Sequence, residues 1–158
     1  MRVLYGVQAT GNGHITRARV MAPALVRAGV EVDYLFSGRP ADQLFNMEPF
    51  GDYQTRQGLT FVQRDGQVKV LETLRKNNPL RCWKDAGELD LSGYDRVITD
   101  FEPVTAWAAK RQKVPSVGIA HQYALCYPIP GHNYHLLSRL IQLFAPVETA
   151  IGGHGHHF

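Results

Sequence analysis

The chain has 158 residues, of which 44% are hydrophobic and 20% are charged, a balance typical of one globular domain with a core of its own. The formal net charge is only +3, and lysine and arginine form no continuous stripe, so the sequence does not predict a nucleic-acid-binding protein. Neither a membrane span nor a signal peptide is predicted. The two cysteines, Cys82 and Cys126, lie far apart in the sequence, and they fit a reduced, cytoplasmic protein better than a disulfide.

The first predicted unit is a strand, a glycine turn and a helix. The buried strand covers 3–7, Gly11-Asn12-Gly13 breaks the run, and an apolar period of 3.6 residues begins at Ile15. Gly29 follows where a helix C-terminal glycine belongs. Such a turn leaves backbone N–H groups unpaired beside the positive end of a helix dipole, so it is a candidate phosphate-binding site.

Strands and helices then alternate along the chain. The predicted strands are 30–36, 59–63, 96–99, 116–120 and 148–151, and the predicted helices are 40–47, 67–77, 103–113 and 133–144. Residues 80–92 are ambiguous, and in the last helix Leu136, Leu137, Leu140, Ile141 and Phe144 form an apolar stripe. The alternation predicts an α/β fold, a Rossmann-like three-layer sandwich with a mainly parallel sheet, as a single domain over 1–158.

Polar or glycine residues follow four of the predicted strands, at 11–14, 37–39, 100–102 and 121–122. Ligands of parallel α/β sheets bind beyond the carboxyl ends of the strands. We therefore expect Gly11, Gly13, Asp100 and His121 to gather at one edge of the sheet.

Four of these residues carry candidate chemistry. His14 begins the first helix, where the helix dipole favours a neutral imidazole that can accept a proton from a hydroxyl; the alternative is a surface histidine that only decorates the turn. Asp100 and Glu102 follow a buried strand and could act as a base, hold a sugar hydroxyl or cap the next helix. His121 begins a loop, and the alternative to a role at the site is a purely structural hydrogen bond.

The glycine turn fits the dinucleotide fingerprint only in part. Thr16 stands where the third glycine belongs, and the acidic Asp33 falls inside the second strand rather than at its end. Arg39, at that strand's end, could hold a ribose phosphate. A NAD(P)-linked or other nucleotide-sugar enzyme, a non-catalytic nucleotide- or phosphate-binding module and a ligand-free turn therefore remain alternatives.

Three histidines near the end, His154, His156 and His157, could bind a metal. Three imidazoles with no cysteine or carboxylate close by are a weak metal pattern, so we expect no metal there.

The opening run VLYGVQATGNGHITRA resembles the N-terminal glycine loop of GT-B glycosyltransferases, including the MurG and monogalactosyldiacylglycerol synthase groups. The runs GNGHITRA, ITDFEP and GIAHQ, in this order, are similar to a prokaryotic group of GT-B-like proteins. The resemblance extends over most of the chain.

This resemblance implies two Rossmann-like domains with a cleft between them. The N-terminal domain chiefly binds the acceptor, and the C-terminal domain chiefly binds the nucleotide sugar. The chain is long enough for the first domain only, so we expect the donor domain to be absent from 1–158 and this chain alone to be inactive.

The resemblance also implies roles for particular residues. His14 and Asp100 would be the catalytic candidates, and helix N-termini rather than a metal would stabilise the leaving diphosphate. The residues expected to contact substrates are Gly11, Asn12, Gly13, Glu102 and His121.

The partners implied are a nucleotide-sugar donor and an acceptor such as a lipid-linked molecule, with no further cofactor and no nucleic acid. The implied location is the cytoplasm, with a peripheral contact at the inner face of the membrane if the acceptor is lipid-linked.

Overall fold

The computed structural model describes residues 1–60, 63–64, 67–68, 77–127 and 134–152. The strands in this part of the chain are β1 (Arg2–Gln8), β2 (Glu31–Ser37), β3 (Tyr53–Arg56), β4 (Gln63–Arg64), β5 (Gln67–Val68), β6 (Arg96–Asp100), β7 (Ser116–Gly118) and β8 (Thr149–Ala150). The helices are α1 (Asn12–Arg27), α2 (Pro79–Glu88), α3 (Pro103–Gln112) and α4 (Tyr134–Phe144).

Six strands form one sheet in the order β3-β2-β1-β6-β7-β8, and all neighbours in it are parallel. Strands β4 and β5 form a separate antiparallel pair. The strand order reverses between β1 and β6, which is the point where doubly wound sheets open a crevice for ligands. The expected Rossmann-like α/β fold with a mainly parallel sheet is confirmed.

Strand β1 is the centre of the core, and its alternate residues face opposite layers. Leu4 packs in the cluster formed with α2 and α3, whereas Tyr5 and Val7 pack in the cluster formed with α1. All three side chains are fully buried, and each contributes about 1.5–3 kcal/mol to folding. The sheet is therefore held from both faces, as the predicted three layers require.

Helix α3 approaches β1 most closely at Gly6. A Cβ placed on Gly6 would overlap the side chain of Thr105 in α3. The absence of a side chain at this position lets the helix lie directly on the central strand, which brings the start of α3 close to the carboxyl end of β1.

The predicted helix at 40–47 is wrong. The chain forms two short 3₁₀ turns instead, at Ala41–Gln43 and Glu48–Phe50. The second turn delivers Phe50 into the core, with its ring centroid 4.8 Å from that of Tyr34 and 4.9 Å from that of Phe36. Burial of this aromatic cluster overrides the local helical signal of the segment.

The segment between β3 and α2 also differs from the prediction. Residues 59–60 are not in a strand, and Gln63–Arg64 pairs with Gln67–Val68, so the predicted helix at 67–77 does not start at 67. The rest of the predicted strand at 61–62 and of the predicted helix at 69–76 lies outside the described residues.

Helix α2 occupies the segment that was ambiguous in the sequence. The side chain of Asn78 accepts a hydrogen bond from the backbone N–H of Arg81 at 3.1 Å, and Pro79 is the first helical residue. Both are helix-start signals. The same residues fit the end of a preceding helix, which is why the sequence left this element open.

Helix α4 buries only part of its predicted apolar stripe. Ile141 is buried and the ring of Phe144 stacks on Phe101, but Leu136 and Leu140 are 59% and 54% exposed. The side chain of Leu137 lies outside the described part. None of the helices in the described ranges is both long enough and apolar enough to cross a membrane.

Candidate active site

The point between β1 and β6 where the strand order reverses, here called the crevice, holds a histidine–aspartate pair. His14 lies in the first turn of α1, Asp100 ends β6, and the Nδ1 atom of His14 is 2.6 Å from Oδ1 of Asp100. The Asp100 side chain is fully buried, while 13% of the His14 side chain is exposed. With an ionised carboxylate and a neutral imidazole, Nδ1 donates to Asp100 and Nε2 keeps a lone pair for a substrate.

Arg17 completes this arrangement. Its Nη1 donates to Oδ1 of Asp100 at 2.8 Å and to the backbone carbonyl of Ile119 at 2.8 Å. Arg17 lies three residues after His14, so both side chains leave α1 on the same face. The sequence interpretation did not include Arg17 in the site. Its position three residues after His14 predicts that both side chains lie on one face of the helix, so the signal was present.

The turn after β6 holds Asp100 in place. Phe101 has a φ of 57°, a left-handed conformation that costs a non-glycine residue about 1–3 kcal/mol. Its ring is buried against Tyr123 and Phe144, and this packing offsets the cost. The chain therefore reverses sharply after Asp100 and leaves its carboxylate at the end of the strand.

Glu102 does not line the cleft as expected, because it is fully buried. Its two carboxylate oxygens accept from the backbone N–H groups of Val104 at 2.9 Å and Thr105 at 2.7 Å, which caps α3. Ser37 Oγ donates to the same carboxylate at 2.6 Å. Burial raises the pKa of Glu102, and the hydrogen bonds from Ser37 and Thr105 act against that rise. Glu102 therefore joins α3 to the end of β2.

His121 follows β7 and lies beside His14. Their ring centroids are 6.4 Å apart with an interplanar angle of 14°. Desolvation, reinforced by the neighbouring His14 and Arg17, lowers the pKa of His121 although Asp100 acts in the opposite direction. The expectation that the glycine turn, Asp100 and His121 share the carboxyl edge of one sheet is confirmed.

The two glycines of the turn face open space. A Cβ on Gly11 or on Gly13 would meet no atom within 4 Å, and Gly11 has an extended backbone that any residue adopts. No side chain in the described ranges caps α1, and Asn12 accepts a hydrogen bond from Arg39 at 3.0 Å. Packing within the described chain thus does not require these glycines, and the first-turn N–H groups of α1 have room for a ligand.

The acidic residue of a dinucleotide fingerprint is not at this site. Asp33 lies toward the amino end of β2, where it accepts hydrogen bonds from Arg2 at 2.7 Å and from the Tyr94 hydroxyl at 2.8 Å. Thr16, in place of the third glycine, lies inside α1. Neither position fits the role that a ribose-binding carboxylate or a third glycine would have.

No group of three metal-ligating side chains occurs within the described ranges. The predicted non-metal histidines, His154, His156 and His157, lie outside them. Cys82 and Cys126 are both free thiols, and burial raises the pKa of Cys82 to about 12, with Glu102 and Asp85 adding to the effect.

The model of one protein family, Glycosyl transferase family 1, matches residues 1–145. Among solved structures, MurG from Acinetobacter baumannii is 14% identical with a TM-score of 0.51, and the match covers 99% of this chain and 42% of that chain. Arabidopsis thaliana UGT89C1, complexed with UDP, is 12% identical with a TM-score of 0.51, covering 96% of this chain and 45% of that one.

No curated protein matches the chain in sequence. The chain spans less than half the length of either solved structure. At 14% and 12% identity, the structural likeness shows the fold alone. The family match over residues 1–145 is a separate finding, made from the sequence.

Proposed function

The chain belongs to glycosyl transferase family 1, and from this premise we propose that it is the acceptor-side, N-terminal domain of a GT-B enzyme. The enzyme transfers a sugar from a nucleotide-sugar donor to an acceptor hydroxyl. The observation that carries the proposal is the 2.6 Å contact between His14 and Asp100 at the crevice where the strand order reverses.

In the proposed reaction His14 is the general base. Its Nε2 takes the proton of the acceptor hydroxyl, the acceptor oxygen attacks the anomeric carbon of the sugar, and the bond from that carbon to the diphosphate breaks. The electron pair of that bond leaves with the nucleoside diphosphate. Asp100 holds the Nδ1–H of His14 and stabilises the imidazolium as it forms, a role comparable to that of the aspartate in a serine–histidine–aspartate triad.

Arg17 is proposed to keep Asp100 in this role. It donates to the same carboxylate oxygen as His14 does and is also tied to the carbonyl of Ile119. Arg17 and His14 thus meet at one oxygen of Asp100, and the fixed position of that oxygen restricts the orientation of the imidazole.

The first turn of α1 is proposed to stabilise the diphosphate as it leaves or to position the acceptor. Gly11 and Gly13 leave the surface above this turn open, and N–H groups at a helix N-terminus favour negative charge. His121, next to His14, is proposed to contact substrate at the same edge.

A second Rossmann-like domain is proposed to supply the main donor contacts, so this chain alone is expected to be inactive. The short span of the chain relative to MurG and UGT89C1 supports this division, and the UDP in the UGT89C1 complex supports a nucleotide-sugar donor. The two free thiols fit the proposed cytoplasmic location, and a lipid-linked acceptor would add a peripheral contact at the membrane.

The test is a screen of nucleotide sugars against the full-length enzyme, measuring released nucleoside diphosphate. With an active donor and acceptor, His14→Ala should lower turnover by about 10²–10⁴-fold, since it removes the base. Asp100→Asn should also lower turnover, because an amide next to Nδ1 favours the wrong tautomer of His14.

His135→Ala is the control, since His135 is a histidine on α4 rather than at the carboxyl end of a strand. It should keep full turnover. Full turnover in His14→Ala would remove His14 from the mechanism, and a larger loss in Asp100→Asn than in His14→Ala would make Asp100 the base.

A further inference from the structure

A pocket of about 730 Å³ adjoins the crevice on the side of β2 and β3. Its wall comes from the turn after β2, which contains Gly38 and Arg39, from Arg56 at the end of β3, and from Arg81 and Asp85 on α2. We call it the arginine pocket. None of its residues takes part in the proton transfer proposed for His14.

In the described part of the chain, none of the three arginines of the arginine pocket is neutralised by an ion pair. Arg39 donates to the carbonyl of Thr10 at 3.2 Å, and Arg56 donates to the carbonyl of Thr55 at 2.9 Å, so these partners are neutral. Within the described ranges no carboxylate forms an ion pair with Arg39, Arg56 or Arg81. Since a guanidinium has five N–H donors, each side chain has donors left for an anion.

Asp85 adds an acceptor to the same wall. Its side chain is about nine-tenths buried, and its Oδ2 has no hydrogen-bond partner among the described residues. A buried acceptor of this kind is normally satisfied. A hydroxyl group on a ligand in the pocket would satisfy it.

Arg39 connects the arginine pocket to the glycine turn. Its guanidinium donates both to the Thr10 carbonyl and to Oδ1 of Asn12, two residues before His14. An anion held by Arg39 would therefore lie beside the turn that carries His14, and the remainder of the same molecule could extend toward the crevice.

We propose that the arginine pocket binds the phosphate group of a phosphorylated sugar acceptor, while Asp85 accepts a hydrogen bond from one of its hydroxyls. Guanidinium groups match the geometry of phosphate oxygens with paired hydrogen bonds. Anchored in this way, the acceptor presents another hydroxyl to Nε2 of His14. This assignment of the acceptor class rests on the proposed function.

The test is calorimetric titration of this chain with glucose 6-phosphate and, separately, with inorganic phosphate and with glucose. The two phosphates should bind and glucose should not. Arg56→Gln and Arg81→Gln should each weaken binding of glucose 6-phosphate by about tenfold or more, since each removes a charge-assisted contact.

Arg96→Gln is the matched control, because it removes the same charge at the amino end of β6, the opposite edge of the sheet. It should change the dissociation constant by less than about twofold, since charges more than a Debye length apart are screened. Asp85→Asn should weaken binding of glucose 6-phosphate but not of inorganic phosphate, which has no sugar hydroxyl to donate. An equal loss in Arg96→Gln, or binding of glucose as tight as that of its phosphate, would overturn the proposal.

A second arm identifies the source of the phosphate. Dodecyl phosphate in detergent micelles is titrated beside the soluble ester, with Arg56→Gln in both series. Arginine-dependent binding of the soluble ester alone assigns a soluble acceptor, and binding of the micellar phosphate as well assigns a lipid-linked one. Binding of neither contradicts the proposal.

The arginine pocket and the proposed function can fail separately, because these titrations need no donor and no turnover. If phosphates do not bind but His14→Ala abolishes transfer, the pocket assignment is wrong and the transferase remains. If phosphates bind through Arg56 and Arg81 but no nucleotide sugar is consumed, the pocket stands without the transferase.

Discussion

At the scale of single residues, His121 is exposed, yet its neighbours at the carboxyl edge of the sheet make it differ from an isolated histidine. Its ring lies nearly parallel to that of His14. Desolvation comes first among the causes that lower the pKa of His121 from 6.5, followed by His14 and Arg17. The folded state therefore holds this proton less tightly than the unfolded state does.

His121 should titrate below 6.5 in the folded chain. The lowered pKa also makes stability depend on pH. The contribution of His121 favours folding above the unfolded pKa of about 6.5. It declines as the pH falls through that value, because the unfolded state takes up the proton first. The measurement is a titration of the imidazole resonances by NMR, with His121→Gln used to assign the signal. A midpoint at or above 6.5 would show that the electrostatic description of the crevice is wrong.

At the scale of the elements, the position of the site depends on how closely α3 lies on β1. The contact is made where Gly6 faces Thr105. Thr105 also donates through its Oγ1 to the carboxylate of Glu102, which caps the same helix. A change at Gly6 should therefore disturb both the packing of α3 and the turn that follows Asp100.

Gly6→Ala should lower the free energy of unfolding by about 1–3 kcal/mol or more, since the added methyl group overlaps a well-packed side chain. Urea denaturation measures the change. Gly93→Ala is the matched control, because a Cβ there meets only Arg2 at an ordinary 3.6 Å. A Gly6→Ala variant as stable as Gly93→Ala would mean that α3 can move away from β1 at little cost.

At the scale of the whole molecule, the chain is proposed to supply one wall of a cleft. The residues proposed for proton transfer and for acceptor binding lie at the carboxyl ends of β1, β2, β3, β6 and β7 or on α1 and α2. In the solved structures with this fold, the chain corresponds to less than half of the length. Contacts to the donor nucleotide are accordingly proposed to come from elsewhere.

This chain alone should bind nucleotide sugars weakly, with a dissociation constant on the order of millimolar or worse, which is about −4 kcal/mol of binding free energy or less. The physical reason is that, in the proposed two-domain arrangement, this chain would supply only one wall of the donor site. Calorimetry with UDP-sugars and dTDP-sugars measures the constant. Micromolar binding would contradict the proposed division between an acceptor domain and a donor domain.

The local sequence was sufficient for the elements whose signals are short-range. The strand, glycine turn and helix at the start of the chain, the strand ending at Asp100 and the helix beginning at Pro103 all lie close to where they were predicted. The failure at 40–47 is a segment in which aromatic burial decides the backbone. Helix α2 was left open because Asn78 and Pro79 fit either the end of one helix or the start of the next.

The sequence by itself determined the fold class and which residues reach the carboxyl edge, because alternation along the chain and strand ends are local properties. Only the tertiary structure decided how those residues meet. His14 and Asp100 are 86 positions apart along the chain yet 2.6 Å apart in space, and Glu102, two residues further on, turns inward to cap a helix. The arginine pocket likewise joins three separate elements. Such contacts depend on the register of neighbouring strands and on the depth of helix packing, and neither is encoded in any one segment.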